Sequence, residues 1–337
     1  MNIALLEVSH WHGPLYFDAL ESAEATVVAV SDPHRPIADK VAARFKARSY
    51  ADWRALLDAE RPEFAFAFGR HCDMPMIGEA LIARGIPFLM EKPCGLSAAH
   101  VRRLRDAARA RGLFAAVPLV QGLGPLGEAV AASRRGGGPH HAWFRFIAGP
   151  PQRYPAAGCA WMLDPVQSGG GCFINLSGHF VHLALRLLPR VTRVLAHMSG
   201  AVHELAVEDF ALVVLESPDG GTATLEMGYL FPDAVDRPRE VYYSLLARGG
   251  CHVFSRHRIG HATPGQPWRE VPIDLEVDPL FATFVRATLA SFREGRAAPV
   301  GLDEMVAVME VIDAAYVAAR TGQPVTVDIP GLVAASG

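Results

Sequence analysis

The chain has 337 residues, of which half are hydrophobic and a fifth are charged, with a formal net charge of −3 at pH 7. This composition is typical of a soluble globular protein, and the small negative charge argues against a nucleic-acid partner. No uninterrupted apolar segment approaches the ~20 residues that span a bilayer, so we predict no membrane partner. The length predicts two domains, because single cores rarely grow beyond roughly 250 to 300 residues.

The cysteines are typical of a reducing compartment. They are odd in number and scattered, without a Cys-x-x-Cys pair: Cys72, Cys94, Cys159, Cys172 and Cys251. Residues 1–6 also lack the basic stretch that opens a signal peptide. We therefore expect a reduced, cytoplasmic protein.

The first 120 residues alternate strand and helix signals. The predicted strands are 2–8, 26–31, 64–68, 87–90 and 113–118, and the predicted helices are 14–21, 37–45, 53–59, 75–84 and 97–111. Strands separated by helices form right-handed βαβ units and a parallel sheet. The sequence therefore predicts a Rossmann-type domain over residues 1–120.

After residue 120 the strand-like runs become longer and are separated by turn signals. The predicted strands are 140–147, 192–200, 210–216, 222–228 and 240–247, and the predicted helices are 125–133, 176–188, 280–293 and 302–320. This pattern is typical of antiparallel pairing. We predict an α/β protein whose second domain, residues 121–337, is α+β with a large, mostly antiparallel open sheet.

The most informative motif follows the fourth predicted strand and reads Glu91-Lys92-Pro93. In an open parallel sheet, ligands bind beyond the carboxyl ends of the strands. A lysine at that edge can donate to a reacting oxygen, and burial readily lowers its pKa. A surface Glu-Lys pair that merely ends a strand is the alternative interpretation of the motif.

A second motif is a glycine turn, residues 169–171, that leads into a helix containing Asn175, His179 and His182. Asn175 and His179 are four residues apart and therefore share one helix face. A histidine near a helix start, with an amide one turn earlier, is a plausible proton acceptor of set orientation. A buried histidine bonded to the backbone is the structural alternative.

Together these motifs resemble the Gfo/Idh/MocA (glucose–fructose oxidoreductase/inositol dehydrogenase) family over nearly the whole length. The resemblance also rests on residues 161–165 before the glycines and on the closing segments 281–292, 299–303, 311–316 and 322–325. It implies an NAD(P)-dependent dehydrogenase that acts on a sugar, cyclitol or related polyol. It further implies a homodimer or homotetramer assembled through the C-terminal sheet.

The resemblance also implies roles for individual residues. Lys92 would bind the reacting hydroxyl, His179 would accept its proton, and Asn175 occupies the position of the family's catalytic aspartate. An amide can orient a histidine but cannot stabilise an imidazolium by charge. Substrate hydroxyls would be held by Trp161, Asp164, Asn175 and His179. Cofactor contacts would come from Ser9, His10, Trp11, His12, Asp32, Arg70, His71, Glu91 and Lys92.

The phosphate-binding loop departs from the family pattern. The positions of its three usual glycines hold Glu7, Ser9 and His12. A carboxylate about 6 Å from a phosphate charge costs roughly 2–3 kcal/mol at an effective dielectric constant of about 20. Asp32 ends the second strand, where a carboxylate bonds the adenosine ribose, and this favours NAD, although Arg35 keeps NADP as an alternative.

These departures leave other functions open. A second interpretation is a family member that has lost dinucleotide binding and works as a ligand-binding or regulatory protein. A third reading keeps the cofactor for a non-redox outcome such as glycoside cleavage. Several histidines lie near the same edge of the sheet, but no pair has the spacing of a known zinc motif, so we predict no metal site.

Overall fold

The structure, a computed structural model, describes residues 1–22, 25–232, 234, 239–255 and 257–332. Strands and helices alternate in its N-terminal part. In chain order they are β1 (Asn2–Leu6), α1 (Pro14–Glu21), β2 (Thr26–Ser31), α2 (Arg35–Phe45), β3 (Arg48–Tyr50), α3 (Trp53–Glu60), β4 (Phe64–Ala67), α4 (Met74–Arg84), β5 (Phe88–Met90), α5 (Ala98–Ala110) and β6 (Ala115–Ala116).

These six strands form one parallel sheet in the order β3-β2-β1-β4-β5-β6. The side chains of β4 and β5 are fully buried, as expected for strands that helices cover on both faces. The predicted Rossmann-type sheet is therefore confirmed. The loop of residues 7–13, which contains the altered glycine positions, follows β1, and Glu91-Lys92 follows β5. Both therefore lie at the carboxyl edge of this sheet.

The elements of the C-terminal part are, in chain order, α6 (Pro125–Arg135), β7 (His140–Ala148), α7 (Arg153–Ala156), α8 (Pro165–Ser168), α9 (Cys172–Leu176), α10 (Gly178–Leu187), β8 (Arg190–Ser199), β9 (Phe210–Glu216), β10 (Thr222–Gly228), β11 (Arg239–Ala247), β12 (Gly250–Ser255), β13 (Arg258–Ala262), β14 (Arg269–Pro272), α11 (Asp278–Arg293), α12 (Leu302–Thr321) and β15 (Val325–Pro330). The strands form a nine-stranded sheet in the order β14-β13-β12-β11-β7-β10-β9-β8-β15. Strands β7 and β10 pair in parallel and the other neighbours pair antiparallel. The predicted α/β class and its mostly antiparallel second sheet are confirmed.

The last two long helices return to the first domain. Helix α11 packs against α1, and α12 packs against α5. The Phe292 ring of α11 lies 5.1 Å from the Phe64 ring and 5.4 Å from the Phe114 ring, measured between centroids. The C-terminal chain thus covers part of the parallel sheet, and the domain boundary at residue 120 stays a prediction.

The helix predicted over 176–188 begins earlier and is interrupted at Ser177. Helix α9 is anchored by the buried carboxylate of Glu208, which accepts from the Gly171 amide at 2.9 Å and the Phe173 amide at 2.8 Å. The same carboxylate accepts from the Tyr316 hydroxyl at 2.8 Å. A residue distant in sequence therefore holds the helix that carries Asn175.

Candidate active site

Strand β5 delivers Lys92 to the carboxyl edge of the parallel sheet, where the side chain is only 2% exposed. Its Nζ donates to the main-chain oxygen of Asn175 at 2.6 Å and to the side-chain Oδ1 at 3.0 Å. Burial lowers the pKa of Lys92 to about 8, although the neighbouring Glu91 carboxylate opposes the shift. Because an ammonium has three donors, these two bonds leave one for a bound ligand.

The Asn175 amide is held on both sides. Its Nδ2 donates to the hydroxyl of Tyr154 at 2.7 Å and to the hydroxyl of Tyr229 at 2.8 Å. The Tyr229 hydroxyl in turn donates to the Gly171 carbonyl at 3.2 Å. These contacts turn Oδ1 toward Lys92. No sequence motif pointed to either tyrosine, because each comes from a segment far from the glycine turn.

His179 lies four residues after Asn175 and lines the same cavity as Lys92. Burial and the Lys92 charge lower the pKa of His179 to about 3. Its Nδ1 is buried and has no hydrogen-bond partner in the described part of the chain. The ring is therefore neutral at physiological pH and packs edge-on toward Phe281, with centroids 6.4 Å apart.

The cavity beside these three residues has a volume of about 100 Å³. Five predicted site residues line it: Trp11, His12, Lys92, Asn175 and His179. The sequence did not reveal the ten other lining residues, which include Gln121, Arg153, Arg239, Asp278 and Phe281. The sequence reasoning thus located five of the fifteen lining residues.

Glu91 points away from the cavity into the first domain and is fully buried. Its Oε1 accepts from the Tyr16 hydroxyl and lies 3.1 Å from Nδ1 of His12. Burial lowers the pKa of His12 well below its usual value, so its neutral ring donates from Nδ1. Glu91 therefore fixes the loop after β1 through His12, and it is not among the residues that line the cavity.

Asp32 is buried and fixes the same loop, the one after β1, through the main chain. Its Oδ2 accepts from the Ser9 amide at 2.7 Å, and its Oδ1 accepts from the His34 amide at 2.8 Å. The Ser9 carbonyl also accepts from Sγ of Cys159, at 3.2 Å. Each carboxylate oxygen of Asp32 thus accepts one main-chain hydrogen bond and retains a second acceptor position, and the ribose contact predicted for Asp32 stays a prediction.

Glu7 adopts a left-handed backbone with φ of 61°, which is the conformation that a glycine would provide without strain. Burial raises the pKa of Glu7 to about 8, and the charges of Asp32 and Asp73 add to the increase. The turn of a glycine-rich loop is thus preserved without its glycine. The first of the three altered positions thus carries an acidic side chain in a backbone conformation that suits glycine.

Two residues of the C-terminal part, Cys159 and Trp161, contact Ser9, His10 and His71 of the N-terminal part, and we call these five residues the clasp. The Trp161 ring centroid lies 5.7 Å from that of His10 and 5.0 Å from that of His71. His71 donates from Nδ1 to the Ser168 carbonyl at 2.7 Å. The structure therefore places three predicted site residues, His10, His71 and Trp161, against one another and not on the cavity.

Two more predicted site residues also lie away from the cavity. Asp164 caps α8, since its Oδ1 accepts from the Val166 amide at 2.9 Å and its Oδ2 from Gln167 Nε2 at 2.6 Å. Arg70 pairs with Asp73 at 2.6 Å and donates to Gln167 Oε1 at 2.7 Å. These contacts extend the join between the two domains.

Within the described ranges, no cluster of three or more His, Cys, Asp or Glu side chains has a metal-binding arrangement. No helix among the described residues is long and apolar enough to cross a membrane.

Solved structures of similar fold cover nearly the whole chain. GenD2 from gentamicin A biosynthesis, in complex with NAD, is 22% identical, with a TM-score of 0.82 over 97% of this chain and 96% of its own. Levoglucosan dehydrogenase, in complex with NADH and levoglucosan, is 15% identical, with a TM-score of 0.85 over 98% and 99% of the two chains. An oxidoreductase from Agrobacterium radiobacter, in complex with NAD+, L-tartaric acid and magnesium, is 16% identical, with a TM-score of 0.84 over 97% and 98%.

No curated protein sequence matches the chain. Two family profiles do match, and together they cover more than half of it. Residues 11–118 match the oxidoreductase family with an NAD-binding Rossmann fold, and residues 128–244 match the GFO/IDH/MocA C-terminal domain. The first match begins beyond Glu7 and Ser9, two of the three altered glycine positions. The resemblance noted in the sequence is confirmed, and the chain belongs to the Gfo/Idh/MocA family of NAD-binding oxidoreductases.

Proposed function

We propose that the chain is an NAD-dependent oxidoreductase that acts on a hydroxyl-bearing carbon of a sugar, cyclitol or related polyol. One observation carries the proposal. Lys92 is a buried amine with a pKa of about 8, held in direction by Asn175 and lining one cavity with His179. Family membership supports the reaction class, and the similar structures that contain NAD or NADH support NAD as the cofactor.

The two ends of the expected dinucleotide site differ in their fit. The nicotinamide end fits, because Lys92 and the cavity lie at the carboxyl edge of the parallel sheet. The pyrophosphate end does not fit as it stands. The Ser9 amide, which would face a phosphate, bonds Asp32, and the His12 amide donates to Nδ1 of His10 at 3.1 Å.

The first loop is also held against the C-terminal part of the chain. Cys159 donates from Sγ to the Ser9 carbonyl at 3.2 Å, and the Trp161 ring centroid lies 5.7 Å from that of His10. Binding of a dinucleotide along this loop therefore requires these contacts to separate, and we derive no step through the pyrophosphate end.

Bound NAD supplies the acceptor for a hydride in the oxidative direction. The carbinol C–H bond breaks with its electron pair leaving as hydride, the hydroxyl proton passes to the protein, and a carbonyl remains. In its neutral form Lys92 directs its lone pair at the reacting hydroxyl, because its two N–H groups donate to Asn175. The neutral His179 ring bounds the site and can hydrogen-bond a substrate hydroxyl.

We assign the proton acceptor to Lys92 in place of His179. A general base works best when its pKa lies near the working pH. The pKa of Lys92 is about 8, whereas that of His179 is about 3. Asn175 cannot offset the difference, since it carries no charge to stabilise an imidazolium.

The test is turnover of purified protein with NAD and a panel of polyols, followed through NADH absorbance. We expect activity with at least one polyol, and a loss of roughly 10²–10⁴-fold in Lys92→Ala, the usual contribution of a general base. Lys40→Ala, an exposed lysine of α2, is the matched control and should leave the rate unchanged. Unaltered turnover in Lys92→Ala would overturn the assignment.

A second function is favoured by the clasp and the altered loop, namely a ligand-binding protein that no longer takes a dinucleotide. Calorimetric titration with NADH separates the two functions. Binding below millimolar concentration supports the oxidoreductase, and no heat at millimolar NADH supports the binding protein.

A further inference from the structure

Arg153, at the start of α7, is one of the cavity-lining residues that the sequence did not reveal. Its guanidinium carbon lies 4.8 Å from the Tyr154 ring centroid, 5.2 Å from that of Trp11 and 5.9 Å from that of Tyr229. One of its terminal nitrogens, Nη2, donates to the Tyr154 hydroxyl at 2.7 Å. Three aromatic rings therefore hold this cation in place.

The charge of Arg153 is not balanced by a carboxylate. Among the described residues, the ion pairs within 4.0 Å do not include Arg153, and its buried Nε has no hydrogen-bond partner. Cation–π contacts orient a guanidinium but do not neutralise it. A positive group left in this state at a cavity wall is complementary to an anionic ligand.

Lys92 is a second cation on the same cavity, and the Arg153 charge is one of the causes that lower the pKa of Lys92. The acidic groups nearby are engaged elsewhere. Asp278 lies 4.0 Å from Arg239, and Glu91 bonds His12 behind the cavity. His12 and His179 are neutral, because burial lowers the pKa of each. The wall formed by Lys92 and Arg153 therefore carries net positive charge.

We propose that the substrate is a polyhydroxylated carboxylic acid, of the aldonate or uronate class, whose carboxylate pairs with Arg153 while a hydroxyl lies at Lys92. This inference rests on the proposed function and names its substrate class. A carboxylate suits the site because Nη2 already bonds Tyr154 and Nε is buried. The remaining donors match the two oxygens of a planar carboxylate.

The experiment compares matched pairs that differ in one group, D-gluconate with D-glucitol and D-glucuronate with D-glucose, each with NAD. We expect kcat/KM to be at least tenfold higher for the acid of at least one pair, mainly through a lower KM. Arg153→Gln should abolish this preference, and Arg153→Lys should keep part of it. Arg54→Gln removes another arginine that stacks on a tryptophan, 4.1 Å from the Trp53 ring centroid, and should change nothing.

The inference is overturned if the neutral partner of each pair is used equally well, or if the preference survives in Arg153→Gln. Calorimetry with the same acids and no cofactor distinguishes failure of the carboxylate site from failure of the proposed oxidoreductase function. If no compound is oxidised, binding of an acid to the wild type but not to Arg153→Gln still supports the carboxylate site. If neither acid binds and none is oxidised preferentially, the carboxylate site is rejected. A matching preference for D-glucose 6-phosphate over D-gluconate also rejects it.

Discussion

The ammonium of Lys92 donates to both carbonyl oxygens of Asn175, the main-chain oxygen at 2.6 Å and the side-chain oxygen at 3.0 Å. A carboxylate in the same place would stabilise the charged lysine strongly. The amide orients the lysine without supplying that charge, and burial then lowers the pKa to about 8. The substitution that breaks the family pattern thus leaves a lysine that gains and loses its proton near neutral pH.

The first prediction concerns pH. Oxidative kcat/KM should rise as pH increases through about 8 and then level, because only the neutral amine accepts the hydroxyl proton. The reductive rate should fall over the same range, because it needs the protonated form. Lys92→Arg should lose oxidation at every pH, since a guanidinium keeps its proton. A midpoint near the ordinary pKa of histidine would contradict the role of Lys92.

The second prediction restores the missing charge. Asn175→Asp places a carboxylate within hydrogen-bond distance of Nζ and should raise the pKa of Lys92 by about 1–3 units. The midpoint of the oxidative pH profile should move upward by the same amount. The hydroxyls of Tyr154 and Tyr229 can rotate to donate to the new carboxylate. Asn175→Ala is the control, which should lower the rate without the upward shift.

The third prediction concerns Glu7 and cofactor affinity. Its pKa of about 8 means that the side chain becomes charged as pH rises from 7 to 9, and NADH binding should weaken over that range. Glu7→Gln removes the charge, so at pH 9 it should bind NADH up to about tenfold more tightly than the wild type, because one pH unit above its pKa about a tenth of Glu7 is still protonated and can bind. Calorimetry at both pH values measures the difference. Equal pH slopes in the two proteins would show that Glu7 turns away from the phosphates.

The fourth prediction concerns stability. The Glu208 carboxylate accepts three hydrogen bonds, from Gly171, Phe173 and Tyr316. In Glu208→Gln one oxygen becomes a donor that faces a donor, which costs about 1–3 kcal/mol for each unsatisfied buried group. We expect calorimetry to record a Tm lower by a few degrees. Tyr316→Phe removes only one of these bonds and should lower Tm less.

The fifth prediction concerns assembly through the large sheet. Trp143 and Tyr242 lie on its outer face, 43% and 36% exposed, with ring centroids 6.2 Å apart. An apolar cluster on an open sheet is suited to packing against a second copy. Analytical ultracentrifugation should show a dimer or tetramer that Trp143→Glu dissociates. Met76→Glu, on an exposed apolar residue of α4, should leave the assembly intact.

The parallel sheet was predictable because its buried strands are short apolar runs separated by helices. Strands β12, β13 and β14 were missed for a physical reason. They lie toward one edge of the large sheet. The four residues of β14 are all exposed, and β12 and β13 each bury one residue, Phe254 and Gly260. With so few buried positions they show no alternation of apolar and polar residues.

It was predictable that Lys92, Asn175 and His179 lie together, because they stand in two recognisable motifs, and all three line one cavity. Tyr154, Tyr229 and Arg153 were not predictable, since their roles depend on contacts between segments that only the folded chain brings together. The packing of the loop of residues 7–13 could not be predicted for the same reason. Its sequence shows that the glycines are absent, but not that Trp161 of the other domain packs against it.

The packing of Trp161 against His10 and His71 has an optical consequence. Burial keeps both imidazoles neutral by lowering their pKa values, and a neutral imidazole quenches indole emission less than an imidazolium does. Separation of Trp161 from these rings would admit water, bring their pKa values back toward the ordinary range and dim the indole in mildly acidic buffer. Trp161, one of the five tryptophans of the chain, is therefore expected to report such a separation through its emission.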